Sequence, residues 1–300
     1  MFQPEGVYAA MLTPFNEDGS INETVQREMV DFLIEKGVHG LFPVSTSGEF
    51  VHMTAEQKAR QIEIVVDQAR GRVPVTPGTG ASCPEEVIEL SRYARKMGCE
   101  AVVVCGPYYY QVSQEIVERH FEVVSDALDI PIILYNVPQF ANPISHVIAK
   151  RLARRENIVA IKDSSGLMIN TINLIDKVNM VRNDFAVLTG SEEILLPTLA
   201  IGGRGCMVAT AGVLPETMVG IYDNFKAGNL EEAKKLQFSI LPLVRAMKSV
   251  NFPIGFKAAM EFRGFEMGSF KQPLSEADEY TYLGSRARIG KLMRQLVKNG

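Results

Sequence analysis

Three hundred residues with a net charge of −4 and no basic stripe or tail offer nucleic acid no surface, and 46% apolar against 22% charged residues suits a globular chain with a large core. No apolar run approaches the ~18 residues that a membrane span needs, and Met1-Phe2-Gln3-Pro4-Glu5-Gly6 lacks the basic start of a secretory leader, so a cytoplasmic protein is expected. Cys83, Cys99, Cys105 and Cys206 have neither CxxC nor zinc spacing and are expected to be reduced, mostly buried thiols.

From Gly6 onward, short apolar runs alternate with amphipathic stretches. A strand over 7–12 ends at Thr13-Pro14-Phe15, and a helix follows over 22–36. The second strand, 40–44, runs into the turn Ser45-Thr46-Ser47-Gly48-Glu49. The second helix opens with the capping box Thr54-Ala55-Glu56-Gln57 and continues to residue 70. A third strand is predicted over 73–77, then Gly78-Thr79-Gly80-Ala81 and a helix capped by Ser82 with Pro84 in its first turn. The fourth strand, 101–105, leads into Gly106-Pro107-Tyr108-Tyr109-Tyr110, and a helix begins near Ser113. Strands five, seven and eight cover 131–135, 185–188 and 206–209, while strand six, within Asn157-Ile158-Val159-Ala160-Ile161-Lys162, ends at a lysine.

Strands that are apolar on both faces belong in a parallel sheet covered by helices, and eight strand–helix units make a (β/α)8 TIM barrel the expected fold. A doubly wound sheet is the competitor, but neither GxGxxG nor a Walker A pattern follows the first strand. The barrel is expected over residues 1–226. Helical stretches at 230–250, 253–263 and 276–297, without strands between them, form a C-terminal helical extension over 227–300.

In such barrels the active site gathers at the C-terminal ends of the strands. Thr13, Ser45, Thr46, Ser47, Thr79, Tyr108, Tyr109, Tyr135, Lys162, Thr189 and Glu192 all fall there, whereas the opposite loops carry only turn and helix-end residues. Lys162 is therefore a candidate nucleophile: an amine in apolar surroundings loses its proton near neutral pH and attacks carbonyls. The alternative is a strand-end lysine that snorkels to water. Tyr135 ends the neighbouring strand and is a candidate proton carrier, or a packed rim tyrosine with one hydrogen bond. The hydroxyls and successive N–H groups of 45–49 suit a small carboxylate.

Ser45-Thr46-Ser47-Gly48-Glu49, Tyr135-Asn136-Val137-Pro138 and Ile161-Lys162-Asp163, at these separations, resemble the dihydrodipicolinate synthase and N-acetylneuraminate lyase family of pyruvate-dependent class I lyases, and the likeness runs over residues 6–264. The resemblance implies Lys162 as the Schiff-base lysine, Tyr135 as the proton-shuttling phenol, and Thr46 and Ser47 as ligands of the pyruvate carboxylate. It implies that Tyr109 is lent to a neighbouring protomer's site in a homotetramer built as a dimer of dimers. No cofactor beyond the covalent pyruvate–lysine adduct is expected. Gly190, Met207, Phe140 and Ser165 complete the candidate substrate contacts.

Two departures bear on the second substrate. Synthases of this family carry an arginine two residues after the Tyr-Asn-Val-Pro stretch, where it grips the carboxylate of aspartate semialdehyde; Phe140 stands there in this chain. Barrels often bind phosphate after strands seven and eight, but Gly190-Ser191-Glu192-Glu193 carries two carboxylates, which suit a helix N-terminus and repel phosphate. The expected substrate is pyruvate with a non-phosphorylated aldehyde, from a 2-keto-3-deoxy sugar acid or hydroxy-keto-acid, whose hydroxyls Ser191, Glu192 or Ser165 would bind. Simple capping by Ser191 with both glutamates solvated is the alternative. Condensation of pyruvate with aspartate semialdehyde is the second activity considered, and a binding protein on an inactive barrel the third. His39, His52, His120 and His146 are scattered, so no metal site is expected. Lys257, the other lysine in an apolar setting, is read as structural and distant from the barrel mouth.

Overall fold

The computed structural model describes residues 2–297. Among them, seven short strands curl into one parallel sheet: β1 (Gly6–Ala10), β2 (Gly40–Phe42), β3 (Val102–Cys105), β4 (Ile132–Asn136), β5 (Ile158–Asp163), β6 (Ala186–Thr189) and β7 (Gly205–Val208). Their order is β2-β1-β7-β6-β5-β4-β3. Every strand residue is buried, which is why the runs are apolar instead of alternating.

The predicted third strand is not a regular strand. Residues 74–79 fill its place through isolated bridges, Leu41 to Val75 on one side and Gly78 to Val103 on the other. Pro74 and Pro77 carry no N–H and act here only as acceptors, from Leu41 N at 2.9 Å and Val103 N at 2.8 Å. Thr76 N and Thr79 N complete the links to Leu41 O and Val103 O. The segment closes the sheet into the barrel, although two prolines interrupt its ladder.

Outside the sheet lie α1 (Glu23–Glu35), α2 (Ala55–Ala69), α3 (Pro84–Lys96), α4 (Gln114–Asp126), α5 (His146–Leu152), α6 (Met168–Asn179), α7 (Leu195–Ala200), α8 (Thr210–Val213) and α9 (Pro215–Lys226). Thr54 and Gln57 form the expected capping box on α2, a feature worth about 1 kcal/mol. Two boundaries differ from expectation. The N-cap of α3 is Cys83, not Ser82, with Pro84 at the first helical position and no side-chain cap. The strand expected to end at Lys162 runs one residue further, to Asp163, and residues 164–167 form a loop before α6.

The extension consists of α10 (Leu230–Ser239), α11 (Leu241–Met247), α12 (Ile254–Glu261) and α13 (Glu276–Val297). The predicted single helix over 230–250 is broken, with Pro242 in the first turn of α11, where its missing N–H costs nothing. Leu243, Met247, Phe256, Met260 and Ile289 share one hydrophobic cluster with strand and helix residues of the barrel.

A second cluster fills the barrel interior. Tyr8 and Ala10, Val103 and Cys105, Ile133 and Tyr135, and Ala186 and Leu188 enter it two residues apart, as inward positions on strands must. Tyr135 stands opposite Lys162 in the ladder. The same alternation therefore turns both side chains into the barrel at its C-terminal end, above small Ala10, Ala160 and Ala186.

Candidate active site

The turn after β2 is built by buried polar side chains beneath it. Val44 adopts φ +53°, costly for a β-branched residue, and its N–H donates to Gln61 Oε1 at 3.0 Å. Gln61 Nε2 donates to Thr13 Oγ1 at 2.8 Å, and Thr13 Oγ1 donates to Gly48 O at 2.8 Å. The Ser45 and Ser47 hydroxyls lie 2.7 Å apart and hold Met11 O and Ala10 O at the end of β1. Thr46 is left with its hydroxyl facing inward, 3.1 Å from Tyr135 Oη. Among the described residues the Thr46 and Ser47 N–H groups have no protein acceptor, so together they present two donors to an anion.

Lys162 is 4% exposed and Tyr135 is 7% exposed. The lysine nitrogen lies on ring faces, 3.9 Å from the Tyr135 centroid and 4.7 Å from that of Phe42. Burial pulls its pKa down from 10.5 to about 7, and the Glu192 charge is the largest influence opposing that fall. The amine is thus substantially neutral at pH 7. Burial pushes the Tyr135 phenol up to about 12, against the Thr46 and Ser164 hydroxyls beside it, so the phenol keeps its proton through the neutral range.

Asp163, next in sequence, anchors this arrangement. Its buried carboxylate accepts from Asn136 Nδ2 at 2.8 Å, Ser165 N and Oγ at 3.1 and 2.9 Å, Asn170 Nδ2 at 3.1 Å and Thr171 Oγ1 at 3.1 Å. Asn136 and Asp163 are the ladder pair immediately after Tyr135 and Lys162, so their contact locks the register that brings phenol and amine together.

Thr46, Ser47, Tyr135, Lys162, Gly190, Met207 and Phe140 share one cavity of about 180 Å³. Ser165 does not line it: its hydroxyl is spent on Asp163, and Ser164 faces the cavity instead. Tyr109 also stays out of this chain's own cavity, 87% exposed at φ +81°. The extension supplies Lys248, Phe252 and Phe256 to the wall. Lys257, expected far from the mouth, reaches behind the turn, 2.7 Å from Glu49 and 2.9 Å from Ser269 O. Among the described residues no three His, Cys, Asp or Glu side chains gather to hold a metal ion, and no helix is long and apolar enough to cross a membrane.

Gln61, Asp163, Asn136 and Lys248 were missed by sequence reasoning. Gln61 had a visible signal, since it interrupts the apolar stripe of α2 formed with Val65 and Ala69. Asn136 and Asp163 stand in the quoted motifs without a role assigned to them, and Lys248 depends on a contact between distant elements.

Gly190 is dictated by closeness. A Cβ there would fall 1.8 Å from Ser164 Oγ and 2.9 Å from Lys162 Cε. In Gly190→Ala, reductive alkylation of Lys162 by a small 2-keto acid, followed by peptide mass analysis, is expected to slow roughly 100-fold with the circular dichroism unchanged. An unchanged rate would show that Ser164 and Lys162 can step aside.

A model of the dihydrodipicolinate synthetase family matches residues 3–291. The chain is 40% identical to the 4-hydroxy-tetrahydrodipicolinate synthase of Methanopyrus kandleri over 294 residues, 97% of each chain. It is 35% identical to that of Methanoculleus marisnigri over 299 residues, 99% of each. Its fold matches the crystal structure of YagE, a prophage protein belonging to the dihydrodipicolinic acid synthase family from E. coli K12 in complex with pyruvate, with a TM-score of 0.91 and 30% identity across 97% of this chain and 98% of that one.

Proposed function

The chain belongs to the dihydrodipicolinate synthetase family, a family of carbon–carbon lyases, and from that premise we propose that Lys162 takes pyruvate as a Schiff base and joins it to, or releases it from, an aldehyde. The observation that carries this reading is a buried lysine with a pKa near 7, in one cavity with a tyrosine phenol and a pair of free N–H donors.

The neutral amine attacks C2 of pyruvate, and the carbinolamine loses water to give a protonated imine. Tyr135, hydrogen-bonded to Thr46, passes the protons that the oxygen gains and the nitrogen loses. The Thr46 and Ser47 N–H groups hold the carboxylate. Loss of a C3 proton gives an enamine, whose C3 attacks the aldehyde carbon; the new alkoxide takes a proton, and water releases the product from Lys162. Pyruvate itself becomes the electron sink, so the scheme needs no further cofactor.

For the acceptor, the names of relatives at 40% and 35% identity support aspartate semialdehyde, and hence 4-hydroxy-tetrahydrodipicolinate synthase activity, ahead of the sugar-acid reading drawn from the sequence. One observation favours the second reading. Phe140, 60% exposed, also borders an outer cavity of about 310 Å³ with Phe252 and Phe270, and among the described residues no lysine or arginine lines that cavity. A charged hydrogen bond worth about 1.5–3 kcal/mol is therefore missing at Phe140.

Borohydride trapping with pyruvate and peptide mass analysis tests the chemistry: an adduct on another lysine, or none, refutes it. Aspartate semialdehyde is then expected to be consumed faster than hydroxy-keto-acids are cleaved, and the reverse order would restore the sugar-acid reading. The exposed, positive-φ Tyr109 supports donation to a neighbouring copy within a homotetramer. Sedimentation as a monomer with full activity would rule that out.

A further inference from the structure

We propose that Glu192 is the internal counterion of the protonated Schiff base on Lys162, held in place by Thr210 and Lys248. The inference rests on the pyruvate reading above and deepens it.

Glu192 opens a short turn (Glu192–Ile194) after β6 and is 3% exposed, so the alternative of two solvated glutamates does not hold for it. Glu192 lines the same cavity as Lys162. The turn is pinned from the extension, where Gln237 Nε2 donates to Glu192 O at 2.9 Å and Gln237 Oε1 accepts from Leu196 N at 3.0 Å. The carboxylate accepts from Thr210 Oγ1 at 2.9 Å, from the chain just beyond β7. Lys248, from the end of α11, lies 3.6 Å away and is closer to Glu193, at 2.7 Å.

A buried carboxylate costs several kcal/mol unless it is compensated. Glu192 has one hydroxyl and a share of an ammonium that favours its neighbour. Among the described residues, the remaining group in the cavity able to carry positive charge is Lys162. Cys206 on β7 and Cys105 on β3 also act electrostatically on Lys162, but burial pushes both thiols up and keeps them neutral. Burial likewise pushes the Glu192 carboxyl up, and Lys248 is the main influence drawing it back.

The reaction creates the charge that this site lacks. The amine enters neutral; when the carbinolamine expels its oxygen as water, after gaining one proton, a cationic C=N bond remains on the lysine nitrogen. Beside an ionised carboxylate that cation persists, and only the cation draws electrons strongly enough for C3 to lose its proton. The same carboxylate raises the Lys162 pKa in the free enzyme, so its removal has two separable signatures.

The experiment uses the intact enzyme with pyruvate alone. Borohydride trapping on Lys162 is followed against pH, and exchange of the pyruvate C3 hydrogens in deuterated water is followed by NMR. In Glu192→Gln the acid limb of trapping is expected about one pH unit lower, while C3 exchange at the plateau falls roughly tenfold or more. Glu192→Asp, which keeps the charge, should restore the limb. Lys248→Met leaves Glu192 without its cation and raises its carboxyl further, so it should mimic Glu192→Gln near neutral pH and recover as pH rises. An unmoved limb with unchanged exchange overturns the counterion role. So does equal loss of trapping and exchange at every pH in both Glu192 variants, which would make Glu192 a structural or pyruvate-binding residue. Failure of the wild type to trap pyruvate on Lys162 would instead overturn the pyruvate reading itself.

Discussion

Lys162→Ala is expected to lower turnover about 10⁴-fold or more, because in the proposed mechanism the step it removes is the covalent attachment of the substrate and no neighbouring group can replace it. Lys162→Arg should not rescue, since a guanidinium stays protonated throughout the pH range of proteins. The wild-type pH profile carries the same argument in quantitative form. Attack needs the neutral amine, whose pKa burial has brought to about 7. Below that value the nitrogen is protonated and inert, so kcat/KM for pyruvate should fall tenfold per pH unit on the acid side and level off above it. A snorkelling lysine would place the limb near its ordinary value of 10.5 instead. Steady-state rates across pH 5–9 separate the two, and a Lys162→Ala enzyme that kept a hundredth of wild-type activity would sink the assignment.

The placing of these side chains could be anticipated in part because barrel geometry converts strand order into proximity. Once eight strand–helix units are recognised, Lys162 and Tyr135 must be neighbours at one end, and the ladder pairs them directly. Residues 74–79 carry a strand's position but not its hydrogen bonds, since an apolar run signals burial while Pro74 and Pro77 remove ladder donors. Element boundaries shifted for local reasons, as where the strand expected to end at Lys162 keeps Asp163, whose carboxylate collects five donors that lie as far along as Thr171. Least visible was the wall from the extension. That Lys248 meets Glu192 and that Lys257 meets Glu49 depends on how α11 and α12 settle over the barrel mouth, and hydrophobic periodicity sets which face of a helix is buried without saying where its ends land. The acceptor is obscured for the same reason, because Phe140, Lys248 and Phe252, which line the cavity, lie on loops and helix ends and not on strands.

Tyr135→Phe isolates the hydroxyl with little disturbance of the packing. The ring face that supports the Lys162 nitrogen at 3.9 Å is retained, and so is the edge contact with Phe42 at 6.3 Å between centroids. The loss is the phenol, 3.1 Å from Thr46 Oγ1 on a side chain that is itself 7% exposed. A positioned proton carrier contributes about 10²–10⁴-fold, and kcat is expected to fall by that factor. Pyruvate should still be trapped on Lys162, but slowly, since the amine is intact while dehydration of the carbinolamine lacks its acid. Burial holds the phenol pKa at about 12, so in the wild type Tyr135 cannot produce an alkaline limb between pH 7 and about 10. Thr46→Val should reproduce part of the loss, because it removes the hydroxyl to which the phenol is bonded. A Tyr135→Phe enzyme within tenfold of wild type would leave Tyr135 as a packing residue. The proton would then have to travel through Ser164 or water, and the ladder pairing of Tyr135 with Lys162 would serve only to shape the apolar pocket that makes the lysine nucleophilic.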